Sequence, residues 1–558
     1  MHAFARRAGL ALLLMWLVWP AQKSNAQGPH EIALIVNENA PRSRHVANLY
    51  ARLRHVPPEN IVYVSLPDKT WQGNAQISPD DFRALIFDPV QQQLDTRKLD
   101  HVVAWVYAAD FPVRITTKPP MSLMGATFVR GQWPDMELVR TGRLGSRLFA
   151  GPDTPDGPVS LGGSFSALKE KVGDEMPLPS MMLAYMGERG NDIATVEQYL
   201  RAGVVSDGSR PRGDIYFVEG NDVRARTRTN QFTRAQAELE TLGINAQIVP
   251  SSPRHQSGIM GLMVGAAAMD VAGAGSFRPG AIAEHLTSHA AEFHVPHQTK
   301  LTEWLKQGAT ASAGTVTEPY AMWTKFPHAR LYAHYARGHS AMESFYLSIR
   351  SPYQVLLVGE PLATPWRAPF SLTFAPMDDE PVTDQSAFVL ALMPERMPVP
   401  FGFVFMRNGL QETDVNVTGQ VVTFDTRTWE DGWHAVRAVV YVGPHIRHQL
   451  FVEHGVVVNR KGRRAAWVDA EDHATWHVGD KPRITMATRG QPDEVGVWHN
   501  GRWIARADAG ENEKHQLEVN PGMLGPGPVT LHAIARYADG MEVRSPPVRV
   551  EIEAEPAD

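Results

Sequence analysis

Between Glu31 and Val358 short apolar runs alternate with segments whose apolar residues recur at helical spacing, and few architectures accept that alternation. Residues 32–36 are apolar without a break, which suits a strand covered on both faces and not one half-open to water. In residues 43–55, by contrast, Val46, Leu49, Tyr50 and Leu53 fall on one helical face. The same reading gives strands at 61–66, 102–107, 181–185, 214–218, 244–249, 259–264, 309–314 and 354–358. It gives helices at 79–94, 193–202, 232–242, 300–306 and 340–349, with Gly243 placed to end one of them. Strands separated by helices pair in parallel through crossovers, so residues 27–367 are expected to form a mostly parallel sheet flanked by helices. A Pro- and Gly-rich stretch at 118–178 is expected to be an insertion or hairpin.

The rhythm changes after the prolines between Pro361 and Pro369. Short alternating strands and turns follow, with an internal repeat. Residues 403–409 (FVFMRNG) match 495–501 (VGVWHNG), each a strand entering an Asn-Gly hairpin turn. Each is followed by a second matching strand, at 433–438 and 531–536. A period of about 90–100 residues fits the size of an immunoglobulin-like β-sandwich, and two such modules are expected, at 368–460 and 461–558.

Arg6 and Arg7 precede an apolar run at 8–19, and Ser24-Asn25-Ala26 supplies small residues at a cleavage point, so residues 1–26 read as a signal peptide. The run is shorter than the ~20 residues of a membrane helix, and no later stretch reads as a span after signal removal. A periplasmic or extracellular location is expected. The net charge of −6 offers no basic excess for phosphate contacts, which argues against nucleic acid as a partner. With no cysteine, the chain can carry neither a thiolate nucleophile nor a disulfide.

The block at 32–37 with Ser43, Tyr50, Arg54, Pro57 and Asn60, and those at 258–271, 279–288, 308–319, 325–327 and 356–362, resemble a family of exported bacterial proteins to which no activity attaches. In layout the second half is more remotely similar to the gingipain-type, caspase-like cysteine peptidases. The small-residue strand at 308–314 and the strand end at 356–361 fit that class, with Glu360 where aspartate is usual. The histidine position of the resemblance reads Val264-Gly265-Ala266-Ala267 and the cysteine position falls near Thr287-Ser288. The resemblance therefore implies a caspase-like fold without its Cys/His dyad.

Ligands in parallel α/β sheets sit beyond the carboxyl ends of strands. That rule selects Asn37, Asp110, Glu219, Ser288, Glu318 and Glu360, with Asp270 as a further binding candidate, against the plainer expectation that such residues cap turns. Read as helical, residues 285–289 would let His285 face Ser288, giving a serine nucleophile and a base with Glu318 as the third catalytic candidate. No Gly-x-Ser-x-Gly elbow surrounds the serine. Asp270, Glu284, Glu318 and Glu360 are the carboxylates open to acid/base pairing. His285 and His289 have metal-ligand spacing but lack the internal glutamate of a zinc helix, so no metal is assigned. Trp429 and Trp433 suit either sugar stacking or a sandwich core. Gly261 to Gly275 lacks a phosphate-loop lysine and reads as close-packed strand and turn; the cofactor stays open. Two functions remain: a catalytically silent protein that binds a protein or surface ligand, with the sandwiches as spacers or partner contacts, and an exported hydrolase.

Overall fold

A computed structural model describes residues 27–151, 165, 169, 172–378, 381–393, 401–442 and 448–554. The expected signal peptide lies outside the described residues, as do 152–164, 166–168, 170 and 171 of the expected insertion. The first part of the chain is built on one ten-stranded sheet. Its strands are β1 (Ile32–Asn37), β2 (Ile61–Val64), β3 (Ala104–Tyr107), β4 (Ser180–Met182) and β5 (Asp214–Val218). They continue with β6 (Ala246–Val249), β7 (Gln256–Gly265), β8 (Gly275–Leu286), β9 (Ala311–Thr315) and β10 (Val355–Gly359). The order across the sheet is β2-β1-β3-β4-β10-β9-β8-β7-β5-β6. Every residue of β1 is buried, as the unbroken apolar run requires.

The flanking helices include α1 (Pro41–Arg54), α2 (Asp88–Thr96), α3 (Ile193–Ser206), α4 (Phe232–Thr241), α5 (Leu301–Lys306) and α6 (Ala341–Ser348). Their ends are written locally. Asp192 caps α3 by accepting from Thr195 N, and Ser340 and Glu343 form a reciprocal capping box on α6. The helix expected over 79–94 is instead broken into a short helix, a π turn at Arg83–Phe87, and α2. Pro89 has no N–H for the carbonyl of Leu85 and its ring would meet it, so the backbone widens there.

Direction across the sheet decides where a site can lie. The β2–β1–β3–β4 and β9–β8–β7–β5–β6 ladders are each parallel. Between them β10 runs antiparallel to β9 and meets β4 at one residue pair, Val358 with Met182. Beyond β4, Tyr185 stacks on Phe293 beyond β8 with centroids 3.7 Å apart, and Arg189 donates to Phe293 O at 2.7 Å. At the other edge Gly280 of β8 lies against Ser206 at the end of α3. The two parallel ladders therefore present their carboxyl ends on one edge of the sheet.

The strand at β8 corrects the helical reading of 285–289: small residues from Pro279 to Ala283 let it lie between β7 and β9, and the chain turns only after Leu286. A short hairpin pairs Arg114–Ile115, before the 118–178 stretch, with Met121–Ser122 inside it, and a fully buried helix, Leu123–Phe128, follows.

Two β modules follow, each of two sheets around its own core. Phe374, Phe388, Phe405, Phe424 and Trp429 fill the first, and Met486, Val495, Val497, Leu531 and Ala533 belong to the second. Trp429 is thus a core residue. Trp433 packs across the module boundary against His532, 4.9 Å between centroids. Both Asn-Gly pairs take positive φ, Asn408 and Gly409 at 48° and 77°, Asn500 and Gly501 at 46° and 80°, the signature of a type I′ hairpin.

The modules fold back onto the α/β domain. Asn48 of α1 donates through Nδ2 to the carbonyls of Leu524, Gly525 and Pro526. Arg544 pairs with Glu59 at 2.9 Å, Arg502 with Glu38 at 3.2 Å, and Arg437 donates to His55 O at 2.6 Å. This packing is at odds with free spacers. Asn48→Leu is expected to cost about 1–3 kcal/mol, because buried carbonyls lose their donor. The check is the denaturant midpoint; an unchanged midpoint would show that the contact does not hold the modules.

Candidate functional site

Alternation along β8 sends neighbouring side chains to opposite faces of the sheet. Glu284 faces Arg228, and both are almost wholly buried in an ion pair. Burial lifts the Glu284 carboxyl to about 7 against the pull of Arg228. His285 points the other way, edge-on to Trp304 at 5.8 Å, with Nε2 bonded to Ala266 O at 2.8 Å. Burial depresses its pKa to about 4, so the ring is neutral at pH 7. Two adjacent titratable groups are thereby separated by the sheet itself.

Ser288 lies in the turn beyond β8, 8% exposed, and its carbonyl accepts from Thr315 Oγ1 at 3.0 Å. Glu318 is exposed and accepts from Tyr320 N at 2.8 Å through Oε1. No hydrogen bond joins Ser288, His285 and Glu318 among the described residues. What the loops beyond β7 and β8 do instead is hold one another. Gln298 Oε1 accepts from Thr287 Oγ1 and from His289 N, and Lys300 Nζ donates to His289 O at 2.7 Å and His297 O at 3.0 Å. Thr299 Oγ1 accepts from Met269 N at 2.8 Å. Burial lowers the Lys300 ammonium to about 8. His289 pairs with Glu292 at 3.3 Å and meets His297 edge-on, and no group of three His, Asp or Glu suited to a metal occurs among the described residues.

The other selected positions stand apart from Ser288. Asn37 is buried at the end of β1 and donates to Asp110 O at 3.0 Å. Asp110, at φ 56°, receives both Nε and a terminal nitrogen of Arg42, at 3.0 and 2.8 Å. Burial raises its pKa while Arg42 opposes that rise. Glu219 is exposed beyond β5, and Asp270 caps a helical turn by accepting from Gly273 N at 2.9 Å. Glu360 corrects the strand-end rule: because β10 runs antiparallel to β9, its end lies at the opposite edge, against Arg54 and Asp207. The carboxylates Asp270, Glu284, Glu318 and Glu360 do not pair with one another.

Sequence reasoning passed over Arg42, Arg228, Gln298 and Lys300. Only Lys300 carried a local signal, since Glu303 three residues on completes a capping pattern at the start of α5. It also passed over a cleft of about 520 Å³ at the carboxyl edge, lined by Thr141, Arg143, Thr227, Trp323, Thr324 and Arg350 among others.

No protein-family model matches the chain, and no curated protein matches it. Among solved structures it is similar to the Arg-specific cysteine proteinase gingipain R (RgpB), at 9% identity over 78% of this chain and 100% of that one, TM-score 0.39. The complex of Porphyromonas gingivalis RgpB pro- and mature domains gives 9% identity over 77% of this chain and 100% of that one, TM-score 0.39. A Bacteroides ovatus glucan-utilisation protein, SGBP-B, matches at 12% identity over 33% of this chain, TM-score 0.21. The match spans 47% of that protein's length.

Proposed function

We propose that this is an exported protein whose caspase-like α/β domain is catalytically silent and serves in binding or surface assembly. The observation that carries the reading is the edge beyond β7 and β8. There Thr287, Gln298, Thr299 and Lys300 spend their polar groups on neighbouring loops, and Ser288 has no base bonded to it. A working nucleophile needs a base within hydrogen-bond reach and a group to orient that base. His285 is turned into the interior, and the residues after β7 are Ala266, Ala267 and Ala268. The absence of cysteine removes thiol proteolysis. Export rests on the basic start, the apolar run and the Ser24-Asn25-Ala26 cleavage pattern.

The test is labelling of the purified mature protein with a fluorophosphonate probe beside Ser288→Ala. Equal, background labelling of both is expected. Labelling of the parent that vanishes in the variant would establish an activated serine and replace this reading with that of a hydrolase.

A further inference from the structure

The cleft at the carboxyl edge is set between the helix Met136–Arg140 with its following turn and the loop beyond β9. Its walls are fixed from behind. Lys325, itself buried, donates through Nζ to Arg140 O at 2.8 Å and to Gln354 Oε1 at 2.7 Å. Thr324 O accepts from Ser351 N and Arg350 O from Ser146 N, both at 2.7 Å. Gly142, at φ 63°, approaches Thr324 so closely that a Cβ would stand 2.5 Å from its Oγ1. That approach, with the positive φ, favours glycine at 142 and sets the two walls in contact.

Two guanidinium groups with no ion-pair partner among the described residues line this frame. Arg143 and Arg350 are exposed, and neither has a carboxylate partner among the described residues. Neighbouring arginines do: Arg140 is paired with Glu137 at 2.5 Å and Arg147 with Glu175 at 3.0 Å. Arg350 sits over the Trp323 ring, 6.0 Å from its centroid, and Thr141, Thr227 and Thr324 add small polar side chains to the lining. Ala321, Met322 and Trp323 give the cleft an apolar side. An apolar wall with a few convergent polar groups is the usual form of a small-ligand site, and guanidinium matches a planar carboxylate through two parallel N–H donors.

We infer that the cleft lined by Arg143, Arg350 and Trp323 binds a carboxylate attached to an apolar body, either the end of a peptide chain or a small free acid. This deepens the binding reading above and rests on it. Preformed walls mean that little ordering opposes binding, and among the described residues no ion pair of these arginines has to be broken first.

Calorimetric titration of the full mature chain tests it, with N-acetylphenylalanine and its amide as one probe pair. A pentapeptide ending in phenylalanine, as free acid and as amide, is the other. Each acid is expected to bind at least about tenfold more tightly than its amide, a difference worth ~1.4 kcal/mol. The double variant Arg143→Ala, Arg350→Ala is expected to lose that preference while keeping the parent's unfolding midpoint, since both side chains are exposed. Tighter binding of the peptide acid than of N-acetylphenylalanine identifies a chain terminus as the source; equal or weaker binding identifies a free acid. Equal binding of acid and amide, an unaltered preference in the double variant, or no binding of any probe at millimolar concentration would overturn the assignment. Failure of the silent-scaffold reading is seen separately, as serine labelling by the fluorophosphonate.

Discussion

Arg54→Leu is expected to destabilise the folded chain by about 3–5 kcal/mol, the cost of leaving a buried charge without its partner. Arg54 donates to Glu360 through Nε at 2.8 Å and a terminal nitrogen at 2.6 Å, and it also pairs with Asp207. Glu360 is fully buried and accepts in addition from Tyr50 OH at 3.0 Å. Without the guanidinium, that carboxylate keeps one hydroxyl and a long contact to Leu362 N at 3.3 Å. Replacing both residues by leucine should recover much of the loss, because a buried pair is worth little more than an apolar filling of similar size. Urea midpoints of the single and double variants, compared at constant slope, read this directly. A single variant within 1 kcal/mol of the parent would mean that the cluster does not hold α1, α3 and β10 together.

The same cluster shows what was legible in the sequence. Arg54, Tyr50 and Glu360 stood out as residues, but their meeting depends on the direction of β10, and an apolar run does not encode strand direction. The runs at 32–36, 61–66 and 214–218 read as strands because burial on both faces leaves an unbroken apolar signature, and they are strands. The hairpins of the two sandwiches were equally plain, since Asn-Gly is among the few pairs that sit easily at two successive positive φ angles. β8 was not read as a strand, and its end was read as helical from 285, because the polar residues Glu284 and His285 break the apolar pattern. The strand tolerates Glu284 by burying it against Arg228, a residue 56 positions earlier. The candidate site failed in the same way. Ser288 and His285 are three residues apart in the sequence, whereas side-chain direction and the partners Ala266, Thr315 and Tyr320 are set by tertiary packing.

Acidification is expected to unfold the protein between about pH 6 and pH 4, and histidines set the window. Burial holds His101, His285, His434, His448 and His532 at about 4, and His328 and His499 at about 3. In the unfolded chain each takes a proton near 6.5. Below that pH the unfolded state binds more protons than the folded one, so stability is full above about 6.5 and is lost as pH falls toward the folded values. Each such group contributes up to ~1.4 kcal/mol per pH unit, and three of the seven acting fully would remove about 4 kcal/mol per unit. Glu284 works in the opposite sense. Its folded value of about 7 lies above the ordinary carboxylate range, so it favours folding as pH drops through the same window. One carboxyl offsets one histidine and leaves the sign unchanged. The hydrogen bonds explain why protonation is resisted at the sandwich interface. His499 Nδ1 faces Thr530 O at 2.9 Å and so carries the proton, while Nε2 accepts from Asn500 Nδ2 at 2.9 Å. A second proton on Nε2 would set two donors against each other beside Tyr63 of the α/β domain, which Asn500 also contacts. Urea midpoints measured from pH 7.5 to 4.5 should therefore fall steeply below 6, and His499→Gln with His532→Gln should flatten the acid limb. Midpoints that stay level down to pH 4.5 would show that these rings are charged in the folded protein and that the interface does not depend on their neutrality.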